Sequence, residues 1–144
     1  MSGPTDITEV IRTAAGFATN KEAEGKLEGK QVYTTLLILT DGNVTDIKAT
    51  CECLQQFCDT ALSIIIVGIG NADFSRMKFL DDHGSKYDIC QFVEFNSYKD
   101  DIGRLTRASL EEIPEHLVSY FIRHGIKPNA PINIPDEDFQ SDSF

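Results

Sequence analysis

The run Leu62-Ser-Ile-Ile-Ile-Val-Gly-Ile-Gly70 limits what this chain can fold into more than any other stretch. A short, nearly continuous apolar segment of β-branched residues suits a strand buried on both faces, as in a parallel sheet covered by helices. Gly68 and Gly70 end it. Val32–Leu39 reads as another buried strand, and Cys90-Gln-Phe-Val-Glu-Phe95 as a shorter third.

Helical spacing fills the intervals. Ile7, Val10, Ile11, Ala14, Ala15 and Ala18 recur on one face, with Thr5 or Asp6 able to cap the start. Asn20 to Lys30 is charged and carries glycines, so it reads as a solvated helix end and loop. A second helix is expected from about Asp46 to Asp59, turning Ile47, Cys51, Leu54, Cys58 and Ala61 toward the sheet. Further helices are expected over 74–80, 101–110 and 114–124, with a polar loop over 81–88. Pro114 fits a first turn, and Gly125 with Lys127-Pro128 forms a stop. The order α-β-α-β-α-β-α-α implies an α/β fold with a parallel, doubly wound sheet. Entered by a helix and holding three strands, it reads as the later part of a larger fold. Residues 1–127 form this partial domain. From Pro128 the chain is rich in Pro, Asn, Asp and Ser, and reads as an extended or disordered tail over 128–144.

Charge narrows the classes of partner. The 144 residues carry a formal net charge of −10 with a pI near 4.6. That argues against nucleic acid, whose binders present a basic stripe, and against direct contact with an anionic bilayer. Leu62 to Ile69 falls far short of the roughly 20 residues of a membrane span. Met1-Ser-Gly-Pro-Thr-Asp has neither the basic start nor the apolar core of a signal peptide. A cytoplasmic location is expected. The four cysteines fit it as reduced thiols, Cys51 and Cys58 packing as small apolar residues. Cys51-x-Cys53-x4-Cys58 lacks the usual paired spacing of zinc ligands.

Chemistry is sought first at Asp41. It stands at the carboxyl end of Val32–Leu39, in Thr40-Asp41-Gly42, and ligands of open α/β sheets sit outside those strand ends. Two readings fit: a favoured Asp-Gly turn pair, or a ligand position. Thr5 is likewise a helix cap or a ligand, and Asp46 a cap near the same place. Asp73, Asp81 and Asp82 read as solvated loop carboxylates. His83, His116 and His124 show no cysteine or carboxylate at catalytic spacing, and read as surface or helix-end residues. Gly68-x-Gly70 lacks the third glycine of a dinucleotide fingerprint. Ser63 lies inside a strand, away from any Gly-x-Ser-x-Gly elbow. No enzymatic activity is expected.

Several stretches together resemble the copine family, in its C-terminal von Willebrand factor A-like domain. They are Ser2-Gly-Pro-Thr5, Leu36-Leu-Ile-Leu-Thr-Asp-Gly42 with Asp46, Ser63 to Phe74, Met77, Leu80-Asp81, Asp88 to Phe95, and Glu112 to Tyr120. The resemblance implies a metal-ion-dependent adhesion site holding Mg²⁺ or Mn²⁺ at the top of the sheet. Thr5 and Asp41 match two of its ligand positions, and Asn43 and Asp46 would flank it as partner-binding residues. The family's Asp-x-Ser/Thr-x-Ser motif is not supplied by these residues, so metal affinity is expected to be weak. The implied function is a protein-interaction module for intracellular partners. In the family, calcium-binding C2 domains, not found in these residues, link it to phospholipid and hence indirectly to the plasma membrane. The alternatives are a truncated, structural remnant, and a relative of RING-bearing ubiquitin ligases without the RING. Loss of the first strands would leave Val32–Leu39 at an open edge, prone to self-association.

Overall fold

The computed structural model describes residues 6–42, 47–78 and 87–131. Its elements are α1 (Ile7–Leu27), β1 (Thr34–Thr40), α2 (Ile47–Phe57), β2 (Leu62–Gly68), β3 (Cys90–Glu94), a 3₁₀ turn (Phe95–Ser97), α3 (Ile102–Leu110) and α4 (Ile113–Arg123). A helical turn also covers residues 75–78. The strands form one sheet in the order β1-β2-β3, and both pairs are parallel. The expected partial doubly wound α/β sheet is what forms.

β2 is the reason. All seven of its residues are buried. Alternation sends Leu62, Ile64 and Ile66 to one face, where they pack with Ile7, Ile11, Leu54, Met77 and Phe92. Ser63, Ile65 and Val67 point to the other, toward α3 and α4. At about 1.5–3 kcal/mol per buried aliphatic side chain, covering both faces is what recruits helices to both. β1 differs. Its outer-face residues Leu37 and Leu39 stay more than half exposed (57% and 61%). In the order β1-β2-β3 the described sheet ends on β1, as the sequence predicted.

α1 runs further than its sequence suggested. Asp6 caps it, accepting from the backbone of Thr8 (3.1 Å) and Glu9 (3.4 Å). The helix continues to Leu27 through the charged stretch expected to be a loop. Tertiary contacts hold that last part. The Tyr120 hydroxyl donates to the Glu22 carboxylate at 2.8–2.9 Å. Burial and this acceptor push the Tyr120 phenol well above its ordinary range. Gly25 lies so close to Val32 that an added Cβ would stand 2.6 Å from its Cγ2.

α2 turns its expected stripe inward, with Leu54, Cys58 and Ala61 buried, and adds residues beside it. Thr50, Cys53, Leu54 and Cys58 are buried, while Ile47 and Cys51 are only partly so. α1 packs along α2 and draws in a second stripe, the Cys53 thiol donating to the Thr8 carbonyl at 3.6 Å. All four cysteines are free. At the far end of α4, Arg123 and His124 each reach Asp59 at 3.0 Å. The expected loop over 81–88 lies outside the described residues except for Tyr87 and Asp88. The expected tail lies outside them beyond residue 131. Asn129 hydrogen-bonds to Gln31 and to Gly29.

Two measurements check this packing. An added Cβ at Gly68 would lie 2.7 Å from Cε1 of the buried Phe74 ring. Gly68→Ala should therefore cost about 1–3 kcal/mol of stability in a urea titration. The second concerns Asp59. Partial burial alone would raise its carboxyl, but hydrogen bonds from His124 and Arg123 outweigh that and hold it below 3.8. A depressed carboxylate contributes stability above its unfolded pKa, lost as pH falls through the folded one. Asp59→Asn should cost about 0.5–1 kcal/mol at neutral pH, discounted for its half-exposed setting. The deficit should shrink as pH falls below the ordinary carboxylate value and on through the lower folded one, and vanish only once the folded carboxylate is protonated.

Candidate functional site

At the carboxyl end of β1 the chain turns at once. The Gly42 amide donates to Thr40 Oγ1 (3.1 Å), and the Ile69 amide donates to the Thr40 carbonyl (2.8 Å). Gly42 adopts φ +97°, and a Cβ there would stand 2.9 Å from the Ala72 Cβ. Only glycine meets both demands. Asp41 is thereby left exposed on the rim of the sheet. Across the rim, Asn96 Nδ2 donates to the Gly70 carbonyl (2.6 Å) and to Asn71 Oδ1 (2.7 Å), tying the β2 loop to the turn after β3.

Asp41 thus stands where the sequence placed it. Thr5, Asn43 and Asp46 lie outside the described residues. A Mg²⁺ or Mn²⁺ ion takes a near-octahedral shell of oxygens. Asp41 offers one such carboxylate. Among the described residues, no group of three His, Cys, Asp or Glu donors includes it. The fit to a divalent cation here is partial.

The opposite end of the sheet holds a second polar group, roughly 20 Å away along the strands at about 3.3 Å per residue. It grows from Ser63, a hydroxyl in the fully buried strand. A buried hydroxyl must find partners. Ser63 Oγ lies 2.7 Å from the Tyr33 hydroxyl and 2.9 Å from His116 Nδ1. Burial pushes the Tyr33 phenol above its ordinary value, and the Ser63 hydrogen bond opposes this. His116 is itself buried on the first turns of α4, its Nε2 3.7 Å from Asp88 Oδ1. Asp88 precedes β3, and Glu112 caps α4 four residues before His116. Donor atoms of Asp88, Glu112 and His116 all fall within 4.8 Å of one another.

This corrects the reading of His116 as a surface or helix-end residue. The buried Ser63 hydroxyl claims its ring, and a solvated position would leave that hydroxyl with Tyr33 alone. The signal available in the sequence was Glu112-x3-His116, two ligand-type residues four apart on one helix face. Nothing local pointed to Asp88, which the fold delivers from another element. His124 does sit at a helix end, and His83 lies outside the described residues. The order Ser63, His116, Asp88 has the elements of a nucleophile relay, but Ser63 is fully buried (0% exposed) within β2. No substrate can reach its oxygen there.

Two apolar grooves flank the β1 edge. One, about 490 Å³, lies between Leu37 and Leu39 of β1 and Leu105 and Leu110 of α3. The other, about 500 Å³, runs beside Val10 and Phe17 of α1.

The copine family model matches residues 1–129. Copine-C of Dictyostelium discoideum is 42% identical over 140 residues, covering 90% of this chain and 25% of that protein. Copine-D and Copine-E of the same organism are 38% and 39% identical over the same length, covering 26% and 24% of theirs. The chain thus spans about a quarter of the length of the curated relatives it matches. With a family model covering nearly nine-tenths of its length, and an α/β sheet whose rim carries Asp41 at a strand's carboxyl end, the chain belongs to the copine family.

Proposed function

We infer that the chain is a copine-type protein-interaction module that binds intracellular partners rather than catalysing a reaction. The observation that carries this reading is Asp41, exposed at the carboxyl end of β1 beside a turn only glycine can make. A divalent cation held there, once Thr5 and an Asp-x-Ser/Thr-x-Ser motif supply the remaining oxygens, offers a site for a partner's acidic side chain. Asn43 and Asp46 would flank that contact. The chain's own charge of −10 favours such an arrangement, since an acidic partner meets it only through a cation. Phospholipid enters indirectly, through calcium-binding C2 domains of the family, with the plasma membrane as the place of action. The buried setting of Ser63 supports binding over catalysis. No described helix is long and apolar enough to cross a membrane.

The exposed side chains along β1 favour a second contact, self-association. Leu37 and Leu39 project from an edge strand, and a flat apolar edge is a template for another chain.

Two experiments test these readings. Calorimetric titration of Mg²⁺ and Mn²⁺ into residues 1–144 should show weak binding at most, and micromolar affinity abolished by Asp41→Ala would contradict the half-built site. In a longer form carrying the Asp-x-Ser/Thr-x-Ser motif, partner retention should require the cation and disappear with Asp41→Ala. Retention indifferent to both would overturn the module reading. For self-association, light scattering after gel filtration should show oligomers at micromolar concentration. Leu37→Lys with Leu39→Lys should shift them toward monomer, and a wild-type monomer would remove the idea.

A further inference from the structure

Asp88, Glu112 and His116 converge at the amino-terminal end of the sheet, and one atom among them is out of balance. His116 Nε2 is fully enclosed and has no hydrogen-bond partner among the described residues. Its side chain is 4% exposed. A buried imidazole nitrogen without a partner is costly, because the water it gave up on folding is not replaced. The nearest carboxylate oxygen, Asp88 Oδ1, stands at 3.7 Å, too far for a hydrogen bond. It is close to the ~3.4 Å that separates two ligands of a tetrahedral ion with bonds of about 2.0–2.2 Å.

We propose that Asp88, Glu112 and His116 form a binding site for a first-row divalent metal of the zinc type, separate from the Asp41 rim. The donor set carries one imidazole and two carboxylates, which favours Zn²⁺ over Mg²⁺ or Ca²⁺, since the latter prefer oxygen alone. Two carboxylate charges balance a dication. The other ring nitrogen is already oriented: Nδ1 faces Ser63 Oγ at 2.9 Å, and Ser63 in turn meets Tyr33. With Nδ1–H donating to Ser63, Nε2 presents a lone pair to the shared space. This is the outer-shell bracing that metal-bound histidines show. Glu112 holds the N-cap position of α4 and His116 lies four residues on, so the first turn fixes two donors, and Asp88 closes from the loop before β3. Asp88 is half exposed, which gives the ion a path in and leaves room for a water in the fourth position.

The test uses residues 1–144 stripped with a chelator and titrated with Zn²⁺ against a chromophoric competitor. One equivalent should bind and raise the melting temperature. Asp88→Asn and Glu112→Gln, both at the surface end of the site, should each weaken binding tenfold or more while circular dichroism stays native. His116→Gln should abolish binding. Ser63→Ala should weaken it by about 10–100-fold, as loss of an outer-shell partner does. Asp41→Ala should leave it unchanged, so success or failure here is independent of the rim. Co²⁺ in place of Zn²⁺ should give a spectrum without a thiolate charge-transfer band. Absence of binding, full affinity in both carboxylate variants, or a thiolate band from the cysteines would each overturn the assignment.

Discussion

Everything in this molecule is arranged around the need to keep β2 dry. Seven consecutive buried residues require a strand on each side and a helical layer on each face. β1 and β3 satisfy the backbone through parallel ladders. α1 and α2 cover Leu62, Ile64 and Ile66, and α3 and α4 close over Ser63, Ile65 and Val67. A substitution that opens β2 to water would therefore disturb both layers together.

The single hydroxyl in that strand has consequences out of proportion to its size. Ser63 cannot be left unpaired in an apolar interior, so Tyr33 and His116 are drawn in to meet it. Once His116 is held by one nitrogen, its other nitrogen is fixed against the loop before β3 and the cap of α4. Polar chemistry at the amino-terminal end of the sheet thus follows from one buried oxygen. At the carboxyl end the logic is different. There the backbone turn at Gly42 exposes Asp41 because no side chain fits beneath it. The two ends differ in donor type as well, oxygen alone on the rim and nitrogen with oxygen below.

The edge of β1 is the other organising fact. Its inner residues Ile38 and Thr40 are buried, and its outer residues Leu37 and Leu39 are not. The grooves on either side of it are apolar. A strand of this composition normally lies inside a sheet, consistent with relatives four times as long as this chain. Surface charge supplies the counterweight: acidic groups line the β3 side, where Glu94, Glu111, Glu112 and Glu115 border a groove of about 660 Å³.

Local pattern by itself determined the three strands, their parallel arrangement and the place of Asp41, because short apolar runs rich in β-branched residues and ended by turn residues suit strands of a helix-covered sheet. It also marked the start of α1, where Asp6 precedes an apolar helical period. Only the tertiary structure decided where α1 ends. Residues 20–27 look solvated, and they stay helical because Tyr120, distant in sequence, meets Glu22 and the chain folds back so that Val32 packs on Gly25. The same holds for Thr50 and Cys53 of α2, buried beside its expected stripe with α1 lying alongside. It holds most of all for His116, which Ser63 and Asp88 reach from other elements, while only Glu112 is a neighbour along its own helix. Periodicity records how a segment meets solvent, whereas a cluster of polar groups is completed by long-range contacts, such as those of Ser63 and Asp88, that leave no local trace.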